Sequence, residues 1–180
     1  MKQSLSTKKI VLNGLMIAVV FLTTYFTRFP GPIPPGYINL GDAAIIITAL
    51  LLGRKSGFIA GAIGSCLADI VAGAFIFAPA TLIIKGIEGY LIGRIADFEG
   101  GRQPGEPKRI TAVIIGAAVM VVGYFAAEAV VLGLFDSTLG LMAAITELPL
   151  NLVQGGVSAI IGYAISVFLI KSKVHRYMIE

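Results

Sequence analysis

Apolar residues run through this chain in long uncharged blocks, separated by short segments that collect most of the charge. Ile10 to Thr27 carries no charged residue and approaches the roughly 20 residues needed to cross a bilayer, which predicts a first spanning helix. Lys8 and Lys9 ahead of it also fit the start of a signal peptide. That block is long for a signal core, however, and ends in Arg28-Phe29-Pro30 without a small-x-small cleavage site, so an uncleaved helix is expected.

Phe29 to Leu40 holds four prolines and reads as a loop. Gly41 to Leu52 is apolar but short, about 18 Å as a helix. It crosses fully only if Tyr37 to Leu40 dips into the protein, where neighbours satisfy irregular backbone. Ser56 to Gly73 predicts a third span and Pro79 to Ile95 a fourth, with Pro79 suited to a helix start. Asp97 to Arg109 is polar and rich in glycine and proline, a second loop. Ile110 to Phe135 and Leu141 to Ile170 complete the series. The expected fold is an all-α integral membrane protein, one six-helix domain over residues 1–180, with both termini on the same side.

Composition agrees: 57% hydrophobic and 13% charged residues exclude an ordinary soluble globule and a disordered chain alike. The net charge of +4 acquires meaning from its placement. Lys2, Lys8, Lys9, Arg54, Lys55, Arg94, Arg102, Lys108, Arg109, Lys171, Lys173 and Arg176, twelve of fourteen basic residues, fall on one set of ends and loops. That bias puts both termini and loop 97–109 in the cytoplasm and loop 29–40 outside, in a multi-pass protein of a cell membrane. Basic residues spread over four short segments form no patch for nucleic acid.

Ionisable groups inside spans are costly and point to a functional site. Here they are Asp42, Asp69, Lys85, Glu88, Glu128 and Glu147, joined by Asn39, Asn151 and Gln154. With the helices so oriented, these groups share the outer half of the bilayer, predicting a polar cavity open outward and sealed below. Lys85/Glu88, Glu147/Asn151 and Asn151/Gln154 are i,i+3 or i,i+4 pairs and share helix faces. Structural roles compete. Lys85 and Glu88 also suit a salt bridge that orients helix 4. Asp42 after Gly41 equally suits an N-cap. Glu147, ahead of Pro149, also suits a contact with a helix start or the external loop. Arg28 and Tyr37 also suit interfacial anchors.

Catalytic signatures are missing. His175 is the sole histidine and Cys66 the sole cysteine, which excludes histidine-based triads, multi-cysteine metal sites and an internal disulfide. No phosphate-binding GxxxxGK[ST] loop occurs, so ATP hydrolysis is not expected of this chain, and no cofactor is implied. An intramembrane enzyme built on Asp69 or Glu128 lacks the rest of a catalytic constellation. Gly14/Ala18, Gly57/Gly61 and Gly89/Gly93 are small-xxx-small pairs that permit close helix contact. The first sits on a helix nearly devoid of polar groups and suits an external partner.

The segments GYINLGDAAIIITALLLGRKSGFIAGAIGSCLADIVAG (Gly36 to Gly73) and FAPATLIIKGIEGYLIG (Phe77 to Gly93) resemble the substrate-binding S components of energy-coupling factor (ECF) vitamin transporters of prokaryotes. They are most similar to the branch associated with hydroxymethylpyrimidine, pyridoxine or riboflavin. The resemblance implies capture of a water-soluble vitamin from outside, in a cavity closed by the first external loop. It also implies docking on a transmembrane scaffold (EcfT) that carries two ATPases (EcfA and EcfA′), with toppling of the S component in the membrane. Gly14 and Ala18 would contact the scaffold. The family's ligand positions favour Asn39, Glu88, Glu128 and Asn151, and the whole candidate set adds Tyr37, Asp42, Asp69, Lys85, Glu147 and Gln154. A carboxylate- and amide-rich site suits a pyrimidine or pyridine vitamin, with riboflavin or cobalamin as alternatives. A stand-alone carrier or channel is the competing class.

Overall fold

The computed structural model describes residues 7–33, 36–96 and 105–172. Most of the expected cytoplasmic loop 97–109, the tail bearing Lys173, His175 and Arg176, and Lys2 lie outside the described residues. The described chain forms helices α1 (Thr7–Phe26), α2 (Gly41–Leu52), α3 (Arg54–Ala72), α4 (Ala78–Ile95), α5 (Glu106–Ala126) and α6 (Leu141–Lys171). A two-residue antiparallel pair, β1 (Phe29–Pro30) with β2 (Tyr37–Ile38), closes the loop between α1 and α2.

Helix α2 sits in the middle, touched by all five other helices. Ten of its twelve residues are buried, as a helix apolar on every face apart from Asp42 and Thr48 requires. The others line up around it in the contact order α1, α3, α4, α5, α6. Their outward faces carry large apolar side chains such as Leu15, Ile83, Ile114, Val122 and Phe168. So continuous an apolar surface is a liability in water and the natural surface in lipid.

Four segments are long and apolar enough to cross a membrane: α1, α3, Glu106–Leu134 and α6. The six-span expectation therefore stands on unequal footing. Helix α2, at 12 residues, is short, and α4 carries Lys85, Glu88 and Arg94 within 18 residues. In both, the charges of Asp42, Lys85 and Glu88 turn into the bundle, while Arg94 is exposed in the last turn of α4.

Glycine sets how closely the helices approach. Gly53, at φ 85°, reverses the chain between α2 and α3, a left-handed conformation that favours glycine. Gly57 on α3 faces Gly89 on α4, Gly61 faces the Lys85 backbone and Gly93 the Arg54 backbone, so the Gly57/Gly61 and Gly89/Gly93 pairs pack inside the bundle. A Cβ on Gly57 would fall 2.5 Å from the Gly89 carbonyl oxygen and 2.8 Å from the Ala49 Cβ. Gly57→Ala is expected to force α3 from α4 and cost about 1–3 kcal/mol, read as a lower unfolding temperature in detergent. An unchanged temperature would mean that the two backbones are not in contact.

Candidate functional site

Local sequence sets the inward direction of each polar group. Helix α5 does not end at Ala126 but continues as a π-helical turn, Ala127–Val131, and a 3-10 turn, Leu132–Leu134. The π turn adds a residue to the helical period, a feature often found at functional sites. Within it Glu128 is 3% exposed while Val130 is 66% exposed. In α6, Pro149 lacks an N–H and cannot donate to the turn before it. Glu147, Asn151 and Gln154 flank that break, all buried on one face.

With α3, α4 and the α1–α2 loop, these elements line a cavity of about 40 Å³ formed by Gly36, Tyr37, Asn39, Asp69, Phe77, Thr81, Tyr124, Glu128, Glu147, Asn151 and Gln154. The space would hold a few water molecules. Its roof is the α1–α2 loop, tied down at several points. The Ile33 N–H donates to Glu147 Oε1 at 3.0 Å, which answers the alternative contact foreseen for Glu147. The Tyr37 hydroxyl donates to Asp69 Oδ1 at 2.5 Å, and the Asn39 N–H donates to Gln154 Oε1 at 2.8 Å. The Leu40 N–H reaches Thr27 Oγ1 at 2.9 Å. Burial and the neighbouring Asp69 carboxylate hold the Tyr37 phenol above its ordinary pKa, so it remains a donor. Arg28 donates to the Tyr25 carbonyl at 2.9 Å and lies over the rings of Tyr25 and Tyr37.

Seven of the ten candidate ligand residues line this cavity: Tyr37, Asn39, Asp69, Glu128, Glu147, Asn151 and Gln154. Asp42, Lys85 and Glu88 do not. They form a buried charge cluster instead, in which Lys85 Nζ is bonded to Asp42 Oδ1 and lies 3.4 Å from Glu88 Oε2. The N-cap alternative for Asp42 is corrected, because its carboxylate makes no cap bond. Asn39 Oδ1 accepts the Gly41 N–H at 2.8 Å instead, freeing Asp42 to meet Lys85. The ion pair foreseen within α4 is likewise only half the arrangement, since the closer partner of Lys85 is on α2.

Gln154 joins the two layers. Its Oε1 holds the loop at Asn39, and its Nε2 donates to Asp42 Oδ2 at 2.7 Å. The Tyr124 ring stands between the cavity and Lys85, whose Nζ is 5.3 Å from its centroid. Tyr124, Thr81 and Phe77 escape a sequence reading based on charge. The Tyr124 and Thr81 hydroxyls lie 2.9 Å apart, and only tertiary packing shows that they face the same space as Asp69.

The cavity mixes amide and hydroxyl groups with three carboxylates, and its unsatisfied atoms are acceptors. Asp69 Oδ2 and Glu128 Oε2 are buried without a partner among the described residues. Buried acceptors of this kind cost stability unless a ligand supplies donors. Among the described residues no cluster of His, Cys, Asp and Glu suits a metal ion.

Comparison with known proteins gives the lineage. Residues 4–171 match the family model described as ECF-type riboflavin transporter, S component. The chain is 38% identical over 114 residues to a Pyrococcus woesei protein described as "Uncharacterized protein in gap 3'region", a match covering 63% of this chain and 74% of that one. It is 27% identical over 147 residues to the "Thiamine precursor transporter HmpT" of Lactococcus lactis subsp. cremoris, covering 81% and 82% of the two chains. A "UPF0397 protein" of Lactobacillus helveticus is 39% identical over 39% of this chain, a match that spans only 38% of that protein's length. In fold, the chain is similar to the solved structure described as "Structure and mechanism of the S component of a bacterial ECF transporter", with TM-score 0.68, 19% identity, and coverage of 91% and 96%. An apolar helical bundle around a polar cavity and a family match over nearly its whole length agree: the chain belongs to the family of ECF transporter S components, the substrate-binding subunits of these transporters.

Proposed function

We propose that this S component captures a small pyrimidine vitamin precursor of the hydroxymethylpyrimidine type from outside the cell. The observation that carries this reading is the cavity itself: small, roofed by loop 29–40, and lined by carboxylates, three amides and aromatic rings. An aminopyrimidine offers amino and hydroxymethyl donors to Asp69, Glu128 and Asn151, and a flat ring to Tyr37, Phe77 and Tyr124. The likeness to a thiamine precursor transporter supports the same substrate class. The family description favours riboflavin as the second reading, and that ligand would require a much larger opening. Either ligand exceeds the present cavity, so entry requires the loop to lift from Glu147, Asp69 and Gln154.

Mass spectrometry of ligand extracted from the purified protein tests this directly, and recovery of a pyrimidine is expected. Asn151→Ala should then weaken binding at least tenfold in calorimetric titration. Recovery of riboflavin would transfer the site to the second reading, and unchanged affinity would remove Asn151 from it.

Delivery would follow by docking on a scaffold with two ATPases and toppling in the plasma membrane, with both termini cytoplasmic as the basic residues favour. Gly14 and Ala18 are both exposed on α1, and a Cβ on Gly14 meets nothing within 4 Å. That open face supports their assignment to the scaffold contact. Gly14→Leu is expected to abolish co-purification with scaffold and ATPases while leaving vitamin affinity within twofold. Full assembly by that variant would move the contact elsewhere. Activity of the chain alone in vesicles would favour a stand-alone carrier.

A further inference from the structure

Three carboxylates, Asp69, Glu128 and Glu147, converge on the cavity. Asp69 and Glu128 are only 5% and 3% exposed, yet each keeps one oxygen without a hydrogen-bond partner. Among the described residues no lysine, arginine or histidine lines this space, and the two loop positions outside them, 34 and 35, are prolines. The nearby cations are already engaged. Lys85 is held by Asp42 and Glu88 behind the Tyr124 ring. Arg28 is bonded to the Tyr25 carbonyl and stacked on Tyr25 and Tyr37.

Several backbone donors that could favour an anion are consumed as well. At the start of α2 the Asn39, Gly41 and Ala43 N–H groups go to Gln154, the Asn39 side chain and the Leu40 carbonyl. At the start of α4, Pro79 has no N–H and the Thr81 N–H is bonded to the Phe77 carbonyl.

Building on the proposed function, we propose that Asp69 and Glu128 are specificity-determining residues that admit the free alcohol of the vitamin and reject its phosphate monoester. A phosphate entering this space would lose its hydration, find no cation and few donors beyond the Asn39 and Asn151 amides to replace it, and face carboxylates at close range. An amino, ring N–H or hydroxyl group would instead complete the two orphaned oxygens. A phosphorylated precursor must therefore pass through a phosphate-ester hydrolysis outside the cell before this protein can take it up.

The test is calorimetric titration of the full chain in nanodiscs with two ligand pairs, hydroxymethylpyrimidine and its phosphate, and riboflavin and its phosphate. For whichever alcohol binds, its phosphate is expected to bind at least about a hundredfold more weakly. Glu128→Gln and Asp69→Asn, near-isosteric, should narrow that ratio to about tenfold or less by improving the phosphate, a direction that misfolding cannot mimic. A phosphate that binds within tenfold of its alcohol to the unaltered protein overturns the proposal whatever the variants do. A ratio unmoved in variants that still bind the alcohol overturns the assignment to these two residues. If neither alcohol binds, the proposed function itself fails, an outcome distinct from loss of selectivity.

Discussion

Lys85→Met is expected to destabilise the folded protein by about 3–5 kcal/mol, because it leaves two carboxylates buried without their cation. Lys85 Nζ meets Asp42 Oδ1 and lies 3.4 Å from Glu88 Oε2, and all three side chains are at most 3% exposed. Glu88 makes no hydrogen bond among the described residues, so Lys85 is its only compensation there. Thermal unfolding in detergent should show a markedly lower midpoint for the single variant. The triple replacement Asp42→Asn, Lys85→Met, Glu88→Gln should recover most of the loss, since neutral groups of the same size need no counter-ion. An unaltered midpoint in Lys85→Met would show that the cluster is hydrated, and that α2 and α4 are not held by charge.

Gln154→Leu is expected to weaken vitamin binding at least thirtyfold and to loosen the external loop. The substitution keeps side-chain volume but orphans two buried partners, the Asn39 N–H and Asp42 Oδ2, at about 1–3 kcal/mol each. Asn39 is where the loop enters α2, so its release would open the cavity roof and raise amide hydrogen exchange at Asn39. Gln154→Glu separates the two halves of the role: it retains the acceptor for Asn39 but meets Asp42 with a second carboxylate. Faster ligand release in Gln154→Leu than in Gln154→Glu would assign the effect to the loop. Equal release rates in both would assign it to the Asp42 contact. Native affinity and exchange in Gln154→Leu would disprove the link.

The candidate site was legible where burial is expensive. A charge or amide in or beside an apolar span must face the protein interior, and six positions that stand out on that ground, Asn39, Asp69, Glu128, Glu147, Asn151 and Gln154, share one cavity. Legibility failed where the answer depended on which helices are neighbours. Nothing in the i,i+3 spacing of Lys85 and Glu88 reveals that Asp42, 43 positions earlier, takes the closer bond. Tyr124 and Thr81 are ordinary residues of an apolar helix until the contact between α4 and α5 sets their hydroxyls 2.9 Å apart. Glu128 stands out by its charge and by the family resemblance, whereas the π turn that accompanies its burial follows no local composition rule.

Sequence by itself determined the helix blocks, the breaks at glycine and proline, the membrane as solvent and the short list of buried polar groups. Each follows from local chemistry: apolar length, backbone freedom and the cost of a charge in hydrocarbon. Tertiary structure alone decided the rest. It set α2 at the centre, drew Asp42, Lys85 and Glu88 below the cavity rather than into it, and tied the external loop to Glu147, Asp69 and Gln154. The physical reason is that a buried polar group is indifferent to chain distance and takes whichever partner packing brings within reach, so these pairings exist only once the helices have assembled.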